Sequence, residues 1–179
     1  TNIFEPTTKV VMSFFLDVRT VAPPLWGVVP ELLELAIIVA ASLAKHTLDE
    51  GYRVGLYANQ NMMSSGGLIK IPPSQHSDQL QRMLEALAQV QSSESLPIAR
   101  LIQNESRTLP WGSTVLVVSA TPTNSLLSVL RQTRRGGRKV ALILVGGSES
   151  PVSTDGLTVY HVRDDVLWND IEELSISRK

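Results

Sequence analysis

A carboxylate and a guanidinium, Asp17 and Arg19, follow directly on an apolar, β-rich run in this sequence (KVVMSFFLDVRTV, residues 9–21). Two kinds of chemistry suit the pair. Arg19 can fold over Asp17 as an internal ion pair that stabilises the loop. Its planar fork of donors can instead reach outward and grip an acidic side chain of a partner bidentately. Most other site chemistry lacks its residues. There is no cysteine, which removes thiolate zinc sites, disulfides and cysteine nucleophiles together. His46, His76 and His161 stand without metal-ligand spacing. No Gly-x-Gly-x-x-Gly opens a helix after the first strand, and neither a Walker lysine nor a Gly-x-Ser-x-Gly elbow is present.

The bulk composition narrows the partners. With 16 Lys and Arg against 17 Asp and Glu, the net charge is -1. No basic excess is available to hold a phosphate backbone, so general nucleic-acid binding is disfavoured. One basic cluster exists: Arg131, Arg134, Arg135, Arg138 and Lys139. It ends a helix and turns into a strand, where positive charge suits the helix dipole. An acidic partner or a phosphate is its alternative use, at the end of the sheet opposite Asp17.

Alternation of strands and helices supplies the frame. Strands are predicted at 9–16, 52–58, 68–71, 114–118, 140–145 and 157–162. Helices are predicted at 31–50, opened by Pro30 and stopped by Gly51, from a Ser77 cap to about Val90, at 98–105, at 125–135, and from Asp164 or Asp165 to about Leu174. The short 68–71 strand ends at Pro72-Pro73 and belongs at a sheet edge. Such an order implies right-handed βαβ units and a doubly wound, mostly parallel sheet of six strands, one of them a short antiparallel edge. Ligands of such sheets bind outside the carboxyl ends of the strands. The loops to watch therefore begin at Asp17, Asn59, Ser119 and Gly146. Trp26 lies in the first of them as a candidate interface anchor, whereas Trp111 and Trp168 read as packing residues. The chain has 179 residues, the length of one domain, taken as 1–179. The longest apolar stretch, 35–44, is too short for a membrane span, which needs about 20 residues.

The stretch 30–59 (PELLELAIIVAASLAKHTLDEGYRVGLYAN) resembles the von Willebrand factor A-like domains of a bacterial family of unknown function. That family is typically encoded beside MoxR-type AAA+ ATPases. Leu109-Pro110-Trp111-Gly112 before TVLVV, the basic helix end at Arg134-Arg135-Gly136, and the strand ALILVG fit it too, so the likeness spans about 8–147. The resemblance implies a Rossmann-like sheet and a protein-interaction role without catalysis. It implies a MoxR-type ATPase, or that ATPase's clients, as partner. It also implies, in many relatives, a metal-ion-dependent adhesion site: Asp-x-Ser-x-Ser after the first strand, a Thr from a middle loop and an Asp after the fourth strand. Mg²⁺ there takes about six hard oxygens, the last from a partner's carboxylate.

This sequence departs from that pattern. Arg19 and Val21 stand where two hydroxyls belong, and Ser119-Ala120-Thr121 carries no carboxylate. A guanidinium has no lone pair and repels a dication. The oxygen donors left for a metal are Asp17, Ser93, Ser95, Ser119 and Thr121, and the expectation is a degenerate site without metal or other cofactor. The residues expected to meet a partner are Asp17, Arg19, Thr20, Trp26, Asn59 and Thr121. The rival resemblance is to haloacid dehalogenase-type phosphatases, which implies Asp17 as the nucleophile, Ser119 as the second motif, Asp164-Asp165 as the acidic pair, and Mg²⁺ to neutralise the phosphate. Arg19 there replaces the general acid. The chain starts at Thr1, so the expectation is a piece of a longer protein, a cytoplasmic domain with room for a membrane anchor upstream.

Overall fold

The computed structural model describes residues 10–22, 27–62, 66–146, 153–164 and 177–178. Strands β1 (Val11–Leu16), β2 (Arg53–Asn61), β3 (Leu68–Ser74), β4 (Thr114–Ser119), β5 (Lys139–Val145), β6 (Thr158–Val162) and β7 (Ser177–Arg178) form one sheet in the order β3-β2-β1-β4-β5-β6-β7. Helices α1 (Pro30–Asp49), α2 (Gln79–Leu87), α3 (Ile98–Glu105) and α4 (Asn124–Arg135) alternate with the strands. The five strands from β2 to β6 are mutually parallel through β1, β4 and β5. β3 runs antiparallel on β2, as the sequence predicts, and the two-residue β7 adds a second antiparallel edge on β6. The helix expected between Asp164 and Leu174 falls outside the described residues apart from its first position.

Strand parity divides the core in two. Phe14, Leu16, Leu56, Val118 and Ile143 face α1 and α2. Phe15, Tyr57, Val117, Leu142 and Leu144 face the opposite way, towards α3 and α4. Successive strand residues point to opposite faces, so a continuous apolar run needs cover on both sides. Helix α1 supplies much of that cover on the first face, burying Leu33, Leu35, Ala36, Val39, Ala40, Ala44 and Thr47. Pro30 opens it, and Gly51, at φ +81°, supplies the left-handed residue past its end. Helix α4 starts one residue earlier than expected, because the Thr123 hydroxyl accepts the Leu126 N–H at 3.2 Å.

Three expectations need correction. Ser77 does not cap α2; Asp78 holds the N-cap position, without a side-chain cap bond. Helix α2 is instead tied to the sheet by buried Gln79, whose amide donates to the carbonyls of Val54 (2.7 Å) and Pro72 (3.0 Å). The prolines do not end β3, which continues to Ser74. An outer strand has no further ladder on one side, so the lost donors cost little. Trp111 is not a core residue but 84% exposed, its ring lying over Gly137, whose φ of +85° and missing Cβ leave it room.

The edge geometry depends on Gly55. A Cβ there would stand 2.9 Å from the Ile71 carbonyl oxygen and 2.9 Å from Pro73 Cδ, at the register shift between β2 and β3. We therefore expect Gly55→Ala to destabilise the domain by about 1–3 kcal/mol, the usual cost of overpacking. A urea titration showing an unchanged midpoint would count against this account of the edge.

Candidate functional site

Parallel register determines what surrounds the end of β1. Leu16 lies beside Ala58 on one side and Val118 on the other. The next residues along the three strands are Asn59, Asp17 and Ser119, a row of three polar residues across adjacent strands. They share strand parity with Tyr57, Phe15 and Val117, so their side chains stand on the α3/α4 face above that core. Strand order also reverses here, since β1 has β2 on one side and β4 on the other. This is the switch point where open α/β sheets place ligands.

Asp17 is 3% exposed and fully engaged. Its Oδ1 accepts the Asn59 amide at 3.1 Å and the Arg19 backbone N–H at 3.2 Å. Its Oδ2 accepts the Ser119 hydroxyl at 2.9 Å. Asn59 in turn accepts the Val18 N–H at 2.9 Å, and the Asp17 N–H donates to the Val118 carbonyl at 2.9 Å. Burial pushes the Asp17 carboxyl up from 3.8 to about 6; the Ser119 hydroxyl, the Arg19 N–H and charge, and the Asn59 amide pull against that rise.

Arg19 does not fold over Asp17. Its guanidinium grips Glu94 in the loop between α2 and α3, with Nε to Oε2 at 2.9 Å and Nη2 to Oε1 at 2.6 Å. Both side chains are about a quarter exposed, at 24% and 22%. The reason is positional: Asp17 points down into the sheet among its donors, whereas a side chain two residues into the loop leaves it. Glu94 does not stand out in the sequence, where the loop around it reads as a supply of serine hydroxyls. The signal available was an acidic residue in a ligand-side loop, the charge complement of Arg19.

The other expected residues have mostly internal work. Asn59, expected to begin a loop, lies within β2 and is buried. The Thr20 hydroxyl, buried, accepts the Val29 N–H at 2.8 Å and closes the first loop. Thr121 donates its N–H to the Ser119 oxygen at 3.3 Å, and its hydroxyl reaches the Arg19 carbonyl at 3.5 Å. Ser95 zips its loop to β2, its N–H on the Asn59 carbonyl (2.8 Å) and its oxygen under the Asn61 N–H (2.9 Å). Ser93 is exposed. Trp26 lies outside the described residues.

These donors do not fit a divalent cation. Of the groups around Asp17, the Asn59 amide nitrogen and the Arg19 N–H have no lone pair to give a cation and only the Ser119 hydroxyl does, while Arg19 and Val21 occupy the two positions where further hydroxyls belong. Glu94, the carboxylate brought to this face by the 88–97 loop, is already neutralised by Arg19. Among the described residues, no three His, Asp or Glu side chains cluster to hold a metal. Nucleophilic attack on a phosphate is equally ill served. Asp17 is enclosed with both oxygens accepting hydrogen bonds, and an arginine cannot act as the general acid.

No protein-family model and no curated protein matches the sequence. Solved structures share its architecture. An aerotolerance-related membrane protein from Bacteroides fragilis superposes with a TM-score of 0.53 at 16% identity, over 94% of this chain and 81% of that one. The conserved hypothetical protein BatB from Bacteroides thetaiotaomicron gives 0.53 at 14%, over 95% and 80%. The SpRpn10 VWA domain gives 0.54 at 9%, over 87% and 89%. The fold is von Willebrand factor A-like.

The Asp17 carboxyl has a consequence for stability. Unfolded, it loses its proton near 3.8; folded, it holds the proton to about 6. The folded state is therefore favoured below the lower value and loses that advantage as pH rises through the window. The group costs about 3 kcal/mol once ionised, from roughly two units at 1.36 kcal/mol each. In Asp17→Asn the new amide can donate to Ser119, whose hydroxyl has lone pairs to accept it. We expect the stability of this variant relative to the native chain to grow between about pH 4 and pH 7, measured by denaturant titration across that range. A difference independent of pH would contradict the burial account.

Proposed function

We propose that this domain is a non-catalytic protein-interaction module that receives its partner on the face formed by the strand carboxyl ends, through a degenerate and metal-free adhesion site. The observation that carries this reading is the Arg19–Glu94 pair above the enclosed Asp17. In a metal-dependent adhesion site, a cation held by the domain meets a carboxylate from the partner. Here the guanidinium is the cation, and a carboxylate of the chain itself sits on it. A planar fork that holds one carboxylate bidentately is shaped to hold another. Exposed Val28 (40%) and Val29 (37%) follow in the same loop, next to Thr20, and give an acidic partner group an apolar neighbour. Asp17, Asn59 and Thr121 act beneath the contact, holding the loop that presents Arg19; Thr20 holds its far end. Trp26 belongs to the same loop by sequence.

The resemblance of the sequence supports a MoxR-type AAA+ ATPase, or its clients, as the partner, and a cytoplasmic domain of a longer, membrane-anchored protein as the setting. Among the described residues no helix is long and apolar enough to cross a membrane. One structural neighbour is itself described as a membrane protein.

If the partner's carboxylate replaces Glu94, substitutions at the two ends of the pair act in opposite directions. Arg19→Gln should weaken binding of the purified MoxR-type ATPase by about tenfold, and Glu94→Gln should strengthen it, because no internal carboxylate then competes. Interferometry with the full chain reads both, and equal affinities for the three proteins would remove Arg19 from the interface. Calorimetric titration with Mg²⁺ or Mn²⁺ should show no saturable heat. Binding in the micromolar range that disappears in Asp17→Asn would overturn the metal-free reading.

A further inference from the structure

The basic cluster of the sequence is split by the fold. Arg131 and Arg134 turn towards the 153–156 segment and donate to the backbone carbonyls of Ser153, Asp155 and Gly156. Their cleft, which Arg135 also lines, contains Asp155, so two of its three arginines are engaged and a carboxylate stands by. Arg138 turns the other way. Its Nη2 donates to the Leu109 carbonyl at 3.0 Å, which pins the guanidinium between the ends of α3 and α4.

Beside it lies a second cleft of about 220 Å³, whose polar lining comes from Gln103, Ser106, Arg107, Gln132, Thr133 and Arg138. Two guanidiniums enter this lining and no carboxylate does. Glu105, two residues before Arg107, is bound to Lys70 at 2.6 Å and does not line the cleft. The Nε of Arg138 is shut off from solvent and has no hydrogen-bond partner among the described residues. A desolvated donor without an acceptor is unfavourable; the Nη1 of the same guanidinium lies beside Gly136, 3.5 Å from where a Cβ there would stand, and Gly136 lines the cleft.

Positive side chains at a helix end ordinarily answer the helix dipole, and Arg134 and Arg135 in the last turn of α4 suffice for that. The carbonyls of Gln132 and Arg134 are also already covered by the N–H groups of Gly136 and Gly137, at 3.0 Å each. Two further cations with spare donors therefore remain around a small polar hollow. Since one water takes about 30 Å³ of liquid volume, the hollow has room for a single oxyanion with waters around it.

We infer that this cleft between α3 and α4 binds a tetrahedral oxyanion, either inorganic phosphate or the phosphate of a monoester. Arg138 is held in place by Leu109 and offers its remaining N–H groups; Arg107 meets the anion from the turn that follows α3, and the Gln103 and Gln132 amides supply neutral donors. The cleft lies at the amino ends of β4 and β5, opposite the Asp17 face, so the two sites are separate and the second does not depend on the first.

The test is an NMR titration of the ¹⁵N-labelled chain with inorganic phosphate and, in a second arm, glycerol phosphate, with chloride holding ionic strength constant. The expected result is a saturable shift of the Arg138 Nε–H and of the Gln132 and Gly136 amides. Tighter binding of the monoester identifies an esterified phosphate as the ligand, and tighter binding of the free ion identifies inorganic phosphate. Arg107→Gln changes an exposed residue and should leave the fold intact while weakening the anion by about tenfold, the loss of one charge-assisted contact. Arg138→Gln should weaken it at least as much. Shifts that rise linearly without saturation, that chloride alone reproduces, or that persist unweakened in Arg107→Gln would overturn the proposal.

Discussion

The carboxyl of Asp17 is buried where β1 ends, and a buried carboxylate must be met by donors from whatever surrounds it. Three segments meet that demand: β2 through Asn59, β4 through Ser119, and the first loop through the Arg19 N–H. The hydrogen bonds hold the ends of the three central strands together at the point where their order reverses. They also fix the path of the chain leaving β1, and with it the place of Arg19. The network is strained electrostatically, because burial opposes the charge that its donors favour. A position that costs stability and still brings four residues into one constellation is the kind of place where function is found.

What the network does for the surface above it is indirect. Asp17 itself is too enclosed to touch a partner. By holding its loop down, it lets Arg19 lean out and meet Glu94, and it leaves that pair partly exposed. Solvent reaches a partly exposed ion pair and screens it, which limits what the pair adds to stability. The Arg19–Glu94 pair is thus better understood by what it presents than by what it holds together. What it presents is a guanidinium fork held bidentately by one carboxylate and still partly open to solvent.

The two ends of the sheet carry different chemistry for a reason that lies in chain direction. At the carboxyl ends, loops leave the strands with polar residues in register, and hydroxyl, amide and carboxyl groups meet. At the amino ends, the chain arrives from the ends of α3 and α4, and arginines gather where helix carbonyls accumulate. The sequence lists these arginines as one cluster. Helix geometry and two opposing loops divide them, sending Arg131 and Arg134 to one side and Arg138 to the other.

Much of the architecture was legible because it rests on local pattern. Continuous apolar runs such as TVLVV and VALILV can only be strands covered on both faces, and Pro30 and Gly51 bracket a helix whatever surrounds it. The alternation of strands with helices fixed the parallel, doubly wound class, and Asp17 could be placed at the carboxyl end of its first strand from the sequence pattern alone. Partners distant in the chain were not legible. Glu94 lies 75 residues from Arg19 and Ser119 lies 102 from Asp17, and nothing local announces either pairing. Gly55 looks like an ordinary glycine until Pro73 is laid against it, and Trp111 like a core residue until its loop is seen to project. The sequence by itself determined which residues stand at the end of β1. Only the tertiary structure decided that Asp17 turns inward and Arg19 outward, because register and burial, which are set by the whole sheet, choose the partner of each charge.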